Sequence, residues 1–267
     1  MMRRMVGMAV IVVLGCALSA RAAETIESLA KRIGEQTAKY KSLQYNMHSV
    51  SEAQAMVGKS TMDGQFQAMR KGDKTLSRME TKSRSSMKMG DQPEQTQEYT
   101  STMINDGEFM YTITDAGGRK MAMKMKPDPK MAGADPLNSE SAFKAMGKDF
   151  NLKVLPDAAV DGKDAWVVEA TPKDNKNPGM VLAKMVSYYD KKTGLPVKSI
   201  GYDKDGKVIN TMIISDIKTN ADIPADRFVF KAPPGVEVMD MTKMPGMGGK
   251  MPAADTQGDN APSPAGE

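Results

Sequence analysis

The sequence is poor in the groups that carry most enzyme chemistry. It has one cysteine, one histidine, one tryptophan and only 5% aromatic residues. The cysteine, Cys16, lies in the first apolar stretch. Removal of that stretch leaves no thiol, which excludes disulfides, thiol catalysis and cysteine-held metals. The histidine, His48, has no neighbouring motif to make it a general base and reads as a strand or surface residue. Serine nucleophile elbows, His-Glu-x-x-His helices, phosphate-binding glycine loops and dinucleotide fingerprints are absent. Carboxylates are numerous but unpatterned, and the scarcity of aromatic sugar platforms disfavours a glycosidase. No catalytic residue, cofactor or metal ligand is assigned.

Charge of one sign is also missing. The chain has 37 basic and 33 acidic residues, interspersed throughout. Residues 1–22 hold three arginines (Arg3, Arg4, Arg21) and no acid, so without them the net charge falls from +4 to +1. A nucleic-acid binder needs a basic face or block, and none is present.

The first residues read as a leader. Arg3 and Arg4 precede an apolar run from Met5 to Ala20, and Ala20-Arg21-Ala22 suits signal peptidase, with cleavage after Ala22. The run has 16 residues, against about 20 for a helix that spans the bilayer core. The expectation is export to a bacterial periplasm. A second reading takes Val13-Leu14-Gly15-Cys16 as a loose lipid-attachment box, which would anchor the mature chain through Cys16.

Hydropathy then changes period along the chain. Ile26, Leu29, Ala30, Ile33 and Ala38 recur at helical spacing, which predicts one amphipathic helix within Glu24 to Tyr40. From Leu43 the period is two. Half-buried strands follow through Met62 to Ala68, Leu76 to Arg84, Glu98 to Ile104, Glu108 to Ile113 and Arg119 to Lys124. Turns at Asn105-Asp106-Gly107 and Gly117-Gly118 make this an antiparallel meander. Residues 126–138 contain Pro127, Pro129, Gly133 and Pro136 and read as a lid or connector, followed by a short helix from Ser139 capped at Asn138 or Ser139. Strands resume at Phe150 to Leu155, Asp164 to Ala170, Ala183 to Asp190, Val197 to Asp203 and Val208 to Ile217. So many strands with so few helices predict one large sheet that curls around its apolar face. After Val238 the sequence is rich in Met, Pro, Gly and Ala and lacks the apolar content to order itself. The expected division is a leader at 1–22, one body at 23–239 and an unstructured tail at 240–267.

Several segments resemble a known family in their order. They are the N-terminal helix, Asp106-Gly107-Glu108-Phe109-Met110-Tyr111, the two sheet halves, Tyr189-Asp190 to Pro196, and Ala225-Asp226-Arg227-Phe228-Val229-Phe230-Lys231-Ala232-Pro233-Pro234-Gly235-Val236-Glu237-Val238. This order resembles the LolA-like outer-membrane lipoprotein carriers. The resemblance implies a mainly β, α+β fold, with a curved antiparallel sheet forming an incomplete β-barrel covered by helices. It implies a non-enzymatic monomer whose cavity takes lipoprotein acyl chains from an inner-membrane transporter and passes them to an outer-membrane acceptor. Relatives on the same fold sense envelope stress. A basic cluster in the family is partly matched by Arg70-Lys71-Gly72-Asp73-Lys74, which would make Arg70 the lid-closing arginine. The departure is in the aromatics, which methionine replaces here.

Methionine is what the chain has in excess, at 26 residues. Four lie in the first 22, and others alternate, as in Met121, Met123 and Met125. Unbranched, polarizable side chains suit a pocket that adapts to varied acyl chains. The rival explanation is thioether binding of Cu(I), which the tail methionines Met244, Met247 and Met251 would also serve. The candidate cavity residues are Met47, Met62, Phe66, Phe109, Tyr111, Met121, Met123, Trp166 and Val168. Trp166 has a second reading as core filling.

Overall fold

The computed structural model describes residues 24–53, 58–88, 93–127, 135–173 and 182–243. The expected leader and nearly all of the expected tail lie outside them. So do residues 128–134 of the connector.

The N-terminal helix, α1 (Ile26–Thr37), starts where Thr25 accepts the Ser28 amide at 3.2 Å, and Glu27 sits in the positive first turn. Its stripe of Leu29, Ala30 and Ile33 is buried. The second helix, α2 (Ser139–Asp149), is capped by Asn138, whose side chain accepts the Ser141 amide at 3.2 Å. Gly34 of α1 allows the approach of the two helices, because a Cβ there would lie 2.8 Å from the Glu140 Cβ.

All the strands among the described residues belong to one sheet. The first half is an antiparallel meander of β1 (Ser42–Ala53), β2 (Gly58–Lys71), β3 (Lys74–Met87), β4 (Gln95–Asn105), β5 (Met110–Ala116) and β6 (Arg119–Met125). The second half is another, β7 (Phe150–Val160), β8 (Lys163–Pro172), β9 (Lys184–Asp190), β10 (Pro196–Tyr202) and β11 (Val208–Thr219). The halves join where β1 pairs with β11. A short strand, β12 (Val238–Asp240), adds in parallel to β6, so the twelve-stranded sheet runs β12-β6-β5-β4-β3-β2-β1-β11-β10-β9-β8-β7. Its two edges, β12 and β7, are not paired with each other among the described residues. The sheet is curved and unclosed.

Turn chemistry sets the register. Asp161 and Gly162 both have positive φ (50° and 75°) between the paired Val160 and Lys163, the backbone that a two-residue type I′ hairpin requires. Three apolar clusters then hold the sheet in place. Leu29, Ala30 and Ile33 of α1 and Phe143 of α2 pack on Trp166, Val168 and Tyr189. Leu43, Ala68, Leu137 and Leu195 form the second cluster. The third lies on the opposite face of the sheet, where Ile223 and Phe228, from the segment after β11, cover Leu76 and Met69. Arg227 fastens that segment by donating to Gln67 Oε1 at 3.1 Å and Glu80 Oε2 at 3.0 Å.

Each strand expected from the period-two pattern is present. The tail boundary is corrected. Val238–Asp240 forms β12 and Met241–Lys243 a 3₁₀ turn, because the free edge of β6 satisfies backbone groups that composition alone left unpartnered.

Candidate functional site

Residues paired across strands lie on the same face of a sheet, so the registers assign every strand side chain. The inner face is defined as the one that α1 and α2 pack against. It carries Trp166 and Val168 of β8 and their cross-strand partners Tyr189 and Ser187 of β9. Followed through β10, β11 and β1, it carries Leu43, Tyr45, Met47 and Ser49. One row then continues as Tyr45, Phe66, Met79, Met103, Thr112, Met123 and Met239, from β1 to β12. Tyr45 and Phe66 are stacked, with ring centroids 4.8 Å apart. Burial pushes the Tyr45 hydroxyl up to about 12, so it stays neutral at any physiological pH.

Methionine is almost confined to this face. The registers place Met62, Met87, Met110, Met121, Met125, Met185 and Met212 there with those already named. Met69 is the one strand methionine among the described residues on the outer face, under Phe228. Gly64 is part of the construction: Met47 lies across it, and a Cβ at Gly64 would be 2.9 Å from the Met47 Cγ. Between the thioethers stand Ser and Thr, of which Ser49, Ser83 and Thr112 are buried.

Charge is sorted the other way. In β1 to β6 every charged strand residue faces outward except Arg70 and Arg119, both at strand ends. Inner positions of these strands include no Val or Ile and a single Leu, Leu43. The second half is built differently. There Val154, Leu152, Val168 and Ile214 supply aliphatic bulk, and the helices cover β7 to β9. The methionines of β2 to β6 are half-buried or exposed.

Of the candidate cavity residues, Met47, Met62, Phe66, Met121, Met123, Trp166 and Val168 share the inner face. Trp166 and Val168 are core residues beneath α1. Tyr111 and Phe109 are placed on the outer side. Tyr111 stacks on Phe230 with ring centroids 4.3 Å apart, Phe109 meets Tyr111 edge-on, and Lys124 Nζ lies 3.8 Å above the Phe109 ring. The physical reason is register. Residues 109 and 111 flank Met110, which pairs with the inner-face Met125. Met79, Met103 and Met110, missed from the sequence list, belong to the face, and extending the alternation from Met121 and Met123 through the hairpin would have found Met110.

Arg70 ties the connector to the sheet. It donates to the Asp135 carboxylate at 3.2 Å, to the Leu137 carbonyl at 2.9 Å and to the Tyr40 carbonyl at 3.2 Å. Leu137 is thereby seated on Leu43 and Ala68 at one end of the inner face. A separate cleft of about 490 Å³ opens between α1, α2 and β7, with Ile26, Ala30, Phe143 and Leu152 on its floor and Lys144, Lys148 and Lys173 at its rim. His48 is on the outer face, 2.7 Å from Asp63, and exposed. Among the described residues no group of His, Cys, Asp and Glu could hold a metal ion, and no helix is long and apolar enough to cross a membrane.

A meander of six strands, a second of five, their junction through β1 and β11, and two helices packed at one end make up the architecture. A solved structure of an uncharacterized conserved protein from Thermus thermophilus is similar to 81% of this chain and 99% of its own, with a TM-score of 0.50 and 10% identity. MucB of Pseudomonas aeruginosa, solved in complex with MucA, is similar over 77% of this chain and 60% of its own, at TM-score 0.44 and 15% identity. At 10% identity the likeness to the Thermus thermophilus protein is one of fold. A family profile described only as an uncharacterized protein matches residues 118–229. An uncharacterized protein of Methanocaldococcus jannaschii is 32% identical over 102 residues, which are 38% of this chain and 27% of that protein. The chain thus spans about a quarter of the length of that relative.

Proposed function

We propose that this protein is an exported, non-enzymatic binder of acyl chains, from lipids or lipoproteins, which it holds against the methionine-rich inner face of β1 to β6. The observation that carries the reading is the sorting of side chains across the sheet. Thioethers and hydroxyls face one way, charges the other, and the thioether face is not filled by aliphatic core. Such a face gains about 0.8 kcal/mol for each ligand methylene removed from water. Ten methylenes give roughly 8 kcal/mol before the cost of association is subtracted. Methionine suits this because its flexible side chain refits to chains of different shape.

In this reading Met47, Met62, Phe66, Met79, Met103 and Met123 contact the ligand, and Arg70 acts as the latch that keeps the 135–138 connector across one end. Export rests on the leader of residues 1–22. The site would exchange its ligand with a membrane donor and acceptor, the inner-membrane transporter and outer-membrane acceptor that the resemblance implies.

The test uses the full chain expressed with its leader and purified after export. Native mass spectrometry followed by denaturation is expected to release an acyl species. The stripped protein is expected to bind a fluorescent fatty acid saturably. Apoprotein without adduct that also shows no saturable uptake of the probe overturns the reading.

A further inference from the structure

An acyl-binding face requires only that its side chains be apolar, yet the edge formed by β5, β6 and β12 is more particular than that. Its inner-face apolar side chains are thioethers, Ala116 apart. Met121, Met123 and Met125 alternate on β6, so all three point to the same side. Met110 is the direct cross-strand partner of Met125, and Met239 the direct partner of Met123. Same-side neighbours two apart on a strand are about 7 Å from each other, and direct partners about 5 Å. Methionine, with three rotatable side-chain bonds, can draw its sulfur together with its neighbours' over such distances.

This patch is also open. Met121 is 59% exposed and Met239 50% exposed. Core packing therefore accounts for neither. Among the described residues of these strands no carboxylate or imidazole faces inward here: Asp115, Asp240, Lys120 and Lys124 belong to the outer face, and Arg119, at the start of β6, is the one inward charge. A neutral donor set of sulfurs discriminates sharply by metal. It lacks the oxygen and nitrogen ligands that Mg(II), Ca(II) and Zn(II) take, and it matches the soft monovalent ion Cu(I).

We propose that Met110, Met121, Met123, Met125 and Met239 form a binding site for Cu(I), on the same face as the acyl site but independent of it in chemistry. Binding involves no electron transfer, since the ion enters and leaves as Cu(I). The thioethers carry no proton, so affinity is independent of pH across the range in which carboxylate or imidazole sites weaken.

The experiment titrates the stripped full chain with Cu(I) under anaerobic, reducing conditions against a chromogenic Cu(I) chelator, with Ag(I) as a redox-inert second probe. The wild-type protein is expected to withdraw Cu(I) from the chelator, with no competition from Zn(II). The triple substitution Met110→Leu, Met125→Leu and Met239→Leu, at patch positions outside the acyl contact set, is expected to lose the metal and keep the fluorescent fatty acid, because leucine preserves apolarity and removes sulfur. Single Met121→Leu and Met239→Leu variants, at exposed positions, repeat the metal test should the triple variant fail to fold. Met69→Leu, on the outer face, and a tail variant with Met244→Leu, Met247→Leu and Met251→Leu are expected to retain Cu(I). A wild-type protein that cannot compete with the chelator overturns the proposal. So does a triple variant that still competes, or a tail variant that does not. Wild-type protein that withdraws Cu(I) but takes up no fluorescent fatty acid counts against the acyl reading and leaves the metal site standing.

Discussion

Replacement of Met79 by aspartate is expected to remove acyl binding while leaving the fold intact. Met79 stands mid-row on the inner face between Phe66 and Met103 and is only half-buried. In the free protein a carboxylate at this position keeps its water, so the cost in stability is about 1 kcal/mol or less, as for other substitutions of incompletely buried residues. Against a bound chain the balance changes. Loss of the thioether arm removes contact with roughly three methylenes, about 2 kcal/mol. Desolvating a polar group against hydrocarbon adds about 1–3 kcal/mol. The sum is at least about 3 kcal/mol, a loss of affinity of roughly a hundredfold or more.

The control is Thr100→Asp, one strand away and on the outer face, where an added carboxylate is expected to change nothing in binding. Displacement titration of a fluorescent fatty acid measures affinity, and urea unfolding confirms that both variants fold. If Met79→Asp binds as the wild type does, or if Thr100→Asp loses binding equally, the inner face is not the acyl site.

Three further outcomes test the scaffold. Phe228→Ala removes the side chain that seals the outer cluster, at 1% exposure, and is expected to lower stability by about 3–5 kcal/mol in urea titrations. Burial alone would raise the Glu80 carboxyl, but Arg78 and Arg227 outweigh it and hold its pKa below the ordinary 4.5. The resulting stabilisation is complete above the ordinary value and is lost as pH falls through the lower, folded one. Glu80→Gln is therefore expected to lower the urea midpoint at pH 7 and to converge with wild type in acid, once the folded-state carboxyl is protonated. Arg70→Gln removes the guanidinium that holds Asp135 and Leu137. Partial exposure keeps the cost near the lower end of about 1–3 kcal/mol. Faster hydrogen exchange at the Leu137 amide, with the sheet amides unchanged, is the diagnostic result.

Period and turn chemistry were enough to locate every strand of the two meanders, since alternation such as Met62-Asp63-Gly64-Gln65-Phe66 has one extended solution and Asp161-Gly162 one tight turn. Sequence alone did not say which alternate set faced inward. Alternation puts Phe109 and Tyr111 on one face, but their odd-even phase opposes that of Met110, which carries the inner face. What decides the phase is long-range. The returning segment brings Phe230 onto Tyr111, and α1 arrives over Trp166 from far away in sequence. The strand β12 was illegible for a related reason, because its pairing is supplied by the free edge of β6 rather than by any local pattern.

The contrast between the two halves of the inner face bears on what the methionines do for a ligand. Where α1 and α2 are permanent occupants, the sheet presents rigid Val and Leu side chains that fit one partner well. Over β2 to β6, where no α-helix of the described residues packs, it presents methionine, which fits many partners adequately. Substituting leucine at Met79, Met103 and Met123 together tests this directly. Apolar area is nearly conserved, and such volume-conserving exchanges cost less than about 1.5 kcal/mol each. Affinity for one well-matched chain length is therefore expected to survive. Tolerance is expected to narrow, with affinities across saturated, unsaturated and branched fatty acids spreading further apart than in the wild type. A displacement series over such ligands gives the comparison. An unchanged spread would mean that thioether flexibility plays no part in acyl binding, leaving sulfur chemistry as the reason for the enrichment.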